Sequence, residues 1–394
     1  MLQELPVARV LAERVRAQVL TGVRPTDPVE AVRRVGALQA QDARALRLAI
    51  RARTTGVDAL AVQRALAEPG GLVVTWLMRG TLHAVPAGDV RWLLALLRPA
   101  RSSGRTRRLA LGLDDHLLDT ALPIAVELLA AGPLTRSELA DRLRAAGVPL
   151  GPGQAPAHLL SVAAREGLVC RGPDRDGEPT YVRLSDWLAG AEPVEPVERD
   201  DALARLARRY LTGHGPGGAA DLAAWSGLPL RDARTGLGAL AAAGEVENVR
   251  IGGAPAYRLP GEPSPEDRTV RLVPAFDEYL LGYRGRALAL DAAHAHRIQA
   301  GGGIVHPAVL LGGRIIGTWR QRRGDGGLIV AVEPFRRLPR GTRAALAAEA
   351  ADIGRFLGVP ARLEVGTPEG PRRTAYRASR GTPVQGNGPD GEPG

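Results

Sequence analysis

The chain has 394 residues, 45% of them hydrophobic, which is enough for more than one core and gives two to four domains on length alone. Its 52 basic against 42 acidic residues leave a net charge of +10, which favours an anionic partner such as nucleic acid over a cationic small molecule. No lysine occurs, so no side-chain amine can form a Schiff base, and the lone Cys170 excludes an internal disulfide and any cysteine-cluster zinc or iron–sulfur site. The first six residues lack the basic and apolar regions of a signal peptide, and no apolar run reaches membrane-spanning length. A soluble, cytoplasmic, reduced protein without membrane partners is therefore expected.

Apolar positions at helical spacing over 7–20 and 28–37, with Thr26-Asp27-Pro28 between them supplying cap and first-turn chemistry, predict two helices. Next comes Ala37-Leu38-Gln39-Ala40-Gln41-Asp42-Ala43-Arg44, two uncharged amides just ahead of an Asp that can cap a third helix, from 42 to about 54. On a helix the two glutamines would point about 200° apart, whereas both face one side if the preceding helix ends near Leu38. Each amide offers a carbonyl acceptor and two N–H donors without titrating, so together they can hold a water and leave it uncharged. The competing reading is that they cap a helix end or face solvent. A helix near 58–67 then leads into residues 72–85, a β-rich passage with Gly80 near its centre that predicts a hairpin. Arg79 sits in its turn as a phosphate or groove contact, Trp76 reads as core, and His83 lies on the second strand.

The same order recurs. Helices at 121–131, from Thr135 and at 155–166 precede strands at 168–171 and 181–184, and helices at 201–212, 218–226 and 230–243 precede strands at 246–251 and 256–259. Three helices followed by a β-wing is the winged helix-turn-helix plan. A Pro/Glu stretch at 191–198 reads as an extended linker. Beyond Arg268 short strands at 269–273, 304–311, 314–319 and 327–333, a helix near 341–357 and a strand near 360–365 suggest a small closed or partly closed β domain. The fold class is thus α+β, three tandem winged helix-turn-helix units (1–118, 119–190 and 199–262) followed by a C-terminal β-barrel-like domain (266–376) and a disordered Gly/Pro-rich tail (377–394).

Arg101, Arg105, Arg107 and Arg108 form the densest basic loop and read as phosphate contacts, the alternative being a merely solvated loop. Trp319 followed by Arg320 reads as a hairpin end packed on the β core or as a stacking and backbone contact. His294 and His296 have the wrong spacing to share a helix face, and Gly301-Gly302-Gly303 lacks the Lys-Ser/Thr of a phosphate loop, so neither a metal nor an organic cofactor is expected.

Beyond Gln39-Ala40-Gln41-Asp42, four strings occur in order: Thr75-Trp76-Leu77-Met78-Arg79-Gly80-Thr81-Leu82-His83, Leu272-Val273-Pro274-Ala275-Phe276-Asp277-Glu278-Tyr279, Ile304-Val305-His306-Pro307 and Gly317-Thr318-Trp319-Arg320. Together they resemble the AlkZ/YcaQ winged-helix superfamily over nearly the whole chain. The second polar position is Gln in the AlkZ-like branch and Asp in the YcaQ-like branch, and Gln41 makes this chain resemble the former. The resemblance implies a monofunctional DNA glycosylase acting on cationic alkylpurines of the N7-alkylguanine type in double-stranded DNA. It brings bulky adducts or interstrand crosslinks from genotoxic natural products within range, and with them a role in self-resistance. Gln39 and Gln41 would position the water that attacks C1′, as suits a chain without lysine, while His83, Asp277 and Tyr279 would support them. His83 is open to a catalytic reading or to one in which it fixes the hairpin, and Asp277 to stabilising the sugar or to a buried pair with an arginine. A monomer associated with the nucleoid follows from the same reading. The alternatives are a non-catalytic winged-helix DNA-binding protein or transcription regulator, and a catalytically dead damage sensor. Against a regulator, the helix Pro156-Ala157-His158-Leu159-Leu160-Ser161 offers few base-reading side chains.

Overall fold

The computed structural model describes residues 2–98, 104–188, 197–261 and 268–366. Arg101, residues 191–196 of the expected linker and the expected tail at 377–394 lie outside the described residues. The chain opens with β1 (Gln3–Glu4) and α1 (Val7–Ala17). A first stretch then runs α2 (Pro28–Val35), β2 (Leu38–Gln39), α3 (Ala43–Arg53), α4 (Ala59–Ala67), β3 (Leu72–Trp76) and β4 (Leu82–Pro86). After α5 (Val90–Leu97) and α6 (Arg105–Ala110), a second repeats the order as α7 (Asp115–Leu128), β5 (Leu134–Thr135), α8 (Arg136–Ala145), α9 (Ala155–Arg165), β6 (Val169–Arg171) and β7 (Thr180–Arg183), ending in α10 (Leu184–Trp187). A third has α11 (Arg199–His214), α12 (Ala219–Ser226), α13 (Leu230–Ala242), β8 (Glu247–Ile251) and β9 (Ala254–Arg258), with a lone Gly217–Tyr257 bridge where the others have a short strand.

Local chemistry sets these boundaries. Asp27 accepts from the backbone N–H groups of Val29 and Glu30 to start α2, Asp42 does the same for α3, and Thr135 with Glu138 forms a capping box on α8. Gly36, at φ 98°, ends α2 in a conformation that only glycine adopts without strain, and the chain turns at once into β2.

The first two hairpins do not stand apart. The strand order β2-β4-β3-β6-β7-β5 makes one antiparallel six-stranded sheet, joined at its middle by the Val74–Arg171 bridge. The third hairpin takes β1 as a parallel third strand, and Leu5 and Val10 pack with Val249 and Ala256.

The C-terminal part contains β10 (Val270–Val273), α14 (Glu278–Leu281), α15 (Ala295–Ile298), β11 (Gln299–Gly301), β12 (Ile304–Val305), β13 (Ala308–Leu311), β14 (Arg314–Gly324), β15 (Gly327–Pro334), α16 (Thr342–Leu357) and β16 (Ala361–Val365). The expected barrel-like closure is corrected: the sheet is open, in the order β10-β13-β14-β15-β16, and its edge strands do not pair with each other. The physical reason is α16, whose Leu346, Ala350, Ile353 and Phe356 share a core with Val270, Leu272, Val330 and Val332, so a helix rather than strand closure covers that face. The single strand expected over 304–311 is interrupted at His306-Pro307, where proline has no ladder donor, and Ile304–Val305 pairs with β11 instead.

The first stretch and the C-terminal sheet are bolted together by α3, which buries eight of its eleven residues, two of them arginines. Arg53 is 0% exposed and grips Asp277 in a bidentate pair, both N–O distances being 2.8 Å, while also donating to Gln18 Oε1 at 2.7 Å. Arg51, 1% exposed, donates to Glu349, Asp352 and the Leu272 carbonyl at 3.1, 3.0 and 2.9 Å. Removing one member of a buried pair strands the other charge, so Asp277→Asn is expected to cost about 3–5 kcal/mol in urea unfolding. Arg33→Ala, which breaks an exposed pair with Glu30, is expected to cost under about 1 kcal/mol in the same assay.

Candidate active site

The two glutamines lie at the end of β2 and just beyond it. With α2 ended at Val35, Leu38–Gln39 form β2, Ala40 N donates to Leu82 O at 2.8 Å to prolong the pairing with β4, Gln41 lies at the bend that follows, and Leu38 and Ala40 are buried. Gln39, half-buried on the strand, and Gln41, exposed at the bend after it, stand on either side of the buried Ala40. The helix break that a joint role for the two glutamines requires is present, α2 ending at Val35.

Both amides are oriented by groups that only donate. Arg79 Nη2 reaches Gln39 Oε1 at 3.2 Å, and Leu82 N reaches Gln41 Oε1 at 3.4 Å. Each carbonyl oxygen therefore faces the protein and keeps a second lone pair, and each NH₂ group is turned the other way. Among the described residues neither NH₂ group has a partner.

Behind this face lies a buried polar group. Arg79, in a turn at φ 55°, also donates to the Trp225 carbonyl, and burial lowers its pKa while Glu278 opposes the shift. Trp225 Nε1 donates to Glu278 Oε1 at 2.6 Å. Glu278 is 0% exposed; burial works against its charge, yet His214, Arg79 and His83 outweigh it and hold the carboxyl at about 2. His214 stacks on Tyr210 with ring centroids 4.9 Å apart. His83, also 0% exposed, bonds through Nδ1 to the Thr81 carbonyl at 3.0 Å, so Nδ1 carries the hydrogen and Nε2 is bare. Burial first, and Arg79 second, push its pKa down to about 4. A neutral, enclosed histidine is no proton donor at pH 7.

Comparison with known proteins is decisive at this point. A family model described as DNA glycosylase AlkZ-like matches residues 32–356. The chain belongs to the AlkZ-like DNA glycosylases. An interstrand DNA cross-link repair glycosylase of Streptomyces sahachiroi is 27% identical over 367 residues, covering 89% of this chain and 96% of that protein. The solved structure of the Streptomyces sahachiroi DNA glycosylase AlkZ superposes with a TM-score of 0.77 at 26% identity, covering 92% of this chain and all of that one. The chain is thus an enzyme of DNA repair with a mixed α+β fold. None of its described helices is long and apolar enough to cross a membrane.

Within this AlkZ-like frame the other expected site residues are scattered. Asp277 spends both oxygens on Arg53 and the Tyr279 backbone N–H, and Tyr279 donates to the Gly313 carbonyl at 2.7 Å. Both are committed elsewhere, and the acidic residue that reaches the Arg79–Trp225 group is Glu278 between them. Nothing local in the sequence separates Glu278 from its neighbour Asp277, and nothing local links Trp225 and His214 to Gln39. The expected basic loop is in part the helix α6, with Arg105 and Arg107 exposed and Arg108 buried and paired with Asp115 at 3.1 Å. Arg320 is exposed at 3.3 Å from Glu333, and Trp319 is core, donating to Val273 O at 2.7 Å.

The buried titrating groups set a pH dependence. The unfolded chain protonates His83 near 6.5 and the folded chain only near 4, so as the pH falls through this window the unfolded state binds the extra proton and stability drops. His83 accounts for about 3 kcal/mol of loss between pH 7 and pH 4, with Glu278 adding to it from 4.5 down to about 2. Urea titrations at stepped pH are expected to give a slope between pH 6.5 and 4 that is shallower by about one proton in His83→Gln than in the unaltered chain.

Proposed function

We propose that this AlkZ-like enzyme is a monofunctional glycosylase that hydrolyses the N-glycosidic bond of cationic alkylated purines, of the N7-alkylguanine type, in double-stranded DNA. The observation that carries the reading is the pair of oriented amides, Gln39 and Gln41, each with its carbonyl oxygen held by a donor of the protein. Alkylation at N7 leaves a cationic base that departs with little acid assistance while the sugar gains oxocarbenium character. The attacking water then needs orientation more than deprotonation, and orientation alone is worth up to about 7–11 kcal/mol in the best intramolecular cases. General-base help, worth about 10²–10⁴-fold, is dispensable for so labile a bond.

Interstrand crosslinks fall within the proposed range on the strength of the Streptomyces sahachiroi relative, whose name gives cross-link repair, and we include bulky adducts with them. We read the three repeated stretches as winged-helix units with bounds near 1–118, 119–190 and 199–262, acting as a monomer in the nucleoid. Arg101, Arg105, Arg107 and Arg320 are the proposed phosphate contacts. Direct major-groove readout by a regulator is disfavoured because α9 buries seven of its eleven residues.

The test is release of 7-methylguanine from methylated duplex DNA. Gln39→Ala with Gln41→Ala is expected to slow release by about 10²-fold or more while DNA affinity stays within about threefold. Equal rates for the double variant and the unaltered chain would sink the mechanism. Since the chain has no lysine, borohydride is expected to trap no covalent protein–DNA adduct during turnover. Efficient trapping would point to the N-terminal amine and overturn the water mechanism.

A further inference from the structure

We propose that Arg79 is a positioning residue for base release: anchored on Trp225 and backed by Glu278, its guanidinium locks the Gln39 amide with the carbonyl oxygen inward. The proposal rests on the glycosylase reading of Gln39 above and replaces the expectation that Arg79 touches DNA phosphate.

Four observations lead to it. Both terminal nitrogens of Arg79 are engaged within the protein, one on Gln39 Oε1 at 3.2 Å and the other on the Trp225 carbonyl. A guanidinium can only donate, so this contact admits one of the two flip states of the Gln39 amide. The Arg79 backbone adopts φ 55°, ψ 15°, a left-handed conformation that a non-glycine residue holds at a cost and that recurs where geometry serves function. Gly227 gives it room: a Cβ there would stand 3.0 Å from Arg79 N and 3.1 Å from its Cα. Finally, the indole of the same Trp225 donates to Glu278 Oε1 at 2.6 Å, and the Glu278 charge favours the charged form of Arg79. The chain of contacts Gln39–Arg79–Trp225–Glu278 thus ties β2 to α12 and α14, so the third stretch and the C-terminal part together set the orientation of one catalytic amide.

Arg79 also lines a cavity of about 330 Å³ with Trp76, Leu77, Arg98 and Ser226. That space lets a small guanidine reach the position the side chain would vacate, which supplies the test. Arg79→Ala is expected to lower the single-turnover rate of 7-methylguanine release at saturating DNA by about 10²-fold, with affinity within about threefold. Methylguanidinium, at concentrations that leave the chain folded, is expected to restore at least about tenfold of that rate, and not to restore Gln39→Ala. Glu278→Gln, which keeps an acceptor for the Trp225 indole but drops the charge, is expected to slow release by about tenfold, again without loss of affinity. Weakened DNA binding with an unchanged rate at saturation would assign Arg79 to phosphate and overturn the proposal, as would an Arg79→Ala rate equal to that of the unaltered chain. If Arg79→Ala does not fold, Arg79→Lys carries the same test, since an ammonium keeps the cation but not the fork that spans Gln39 and Trp225. No release by the unaltered chain would instead count against the glycosylase reading itself.

Discussion

Arg51 and Arg53 both leave water on folding, and desolvating each guanidinium costs several kcal/mol unless its partners are placed to match. Apart from the Ala49 carbonyl, to which Arg53 donates within the helix, those partners, Asp277, Glu349, Asp352, Gln18 and the Leu272 carbonyl, lie outside the helix that carries the two arginines. Apolar contacts tolerate small slides, but a bidentate pair with both N–O distances at 2.8 Å does not. Since α3 begins at its Asp42 cap, directly after Gln41, fixing that helix against the C-terminal sheet also fixes the segment that presents the glutamines. The ionic clamp is thus a constraint on the site as much as on stability.

The clamp and the site meet again on the far side. Asp277, held by Arg53, caps α14, and the first residue of α14 is Glu278, which receives the Trp225 indole N–H. Gln39 is therefore reached by two routes from the same four-residue string, one through α3 and the Asp42 cap, the other through Trp225 and Arg79. A closed loop of this kind removes the slack that a single tether leaves, and amide orientation needs that rigidity. Gly36, at φ 98°, makes the turn from α2 into β2.

Signals that act within a few residues were readable from the sequence, and signals that act across the chain were not. The Asp27, Asp42 and Thr135 caps, the repeated order of helices and strands, and the break of α2 just ahead of Gln39 all follow from local rules. In Phe276-Asp277-Glu278-Tyr279 two adjacent carboxylates are chemically alike, and only partners over two hundred positions away for Asp277 and fifty-three for Glu278 decide their roles. Arg108 illustrates the same limit on a short scale, since a run of arginines reads as solvated until a helix turns one of them inward onto Asp115. The sheet shared by the first two hairpins and the open C-terminal sheet likewise depend on which edges meet, and strand propensity carries no such information.

The electrostatics of the site restrict what it can attack. Gln39 and Gln41 do not titrate, His83 stays neutral down to about 4 and is sealed from solvent, and Glu278 remains ionised down to about 2 with one oxygen on Trp225. None of these groups changes charge near neutral pH, so on the proposed reading neither a strong base nor a strong acid is available to drive the bond apart. An enzyme built this way leaves the leaving group to do what a general acid would otherwise do. A cationic alkylpurine meets that demand and a neutral purine does not, so discrimination between damaged and intact DNA can arise from restrained chemistry, without a pocket that recognises every adduct by shape.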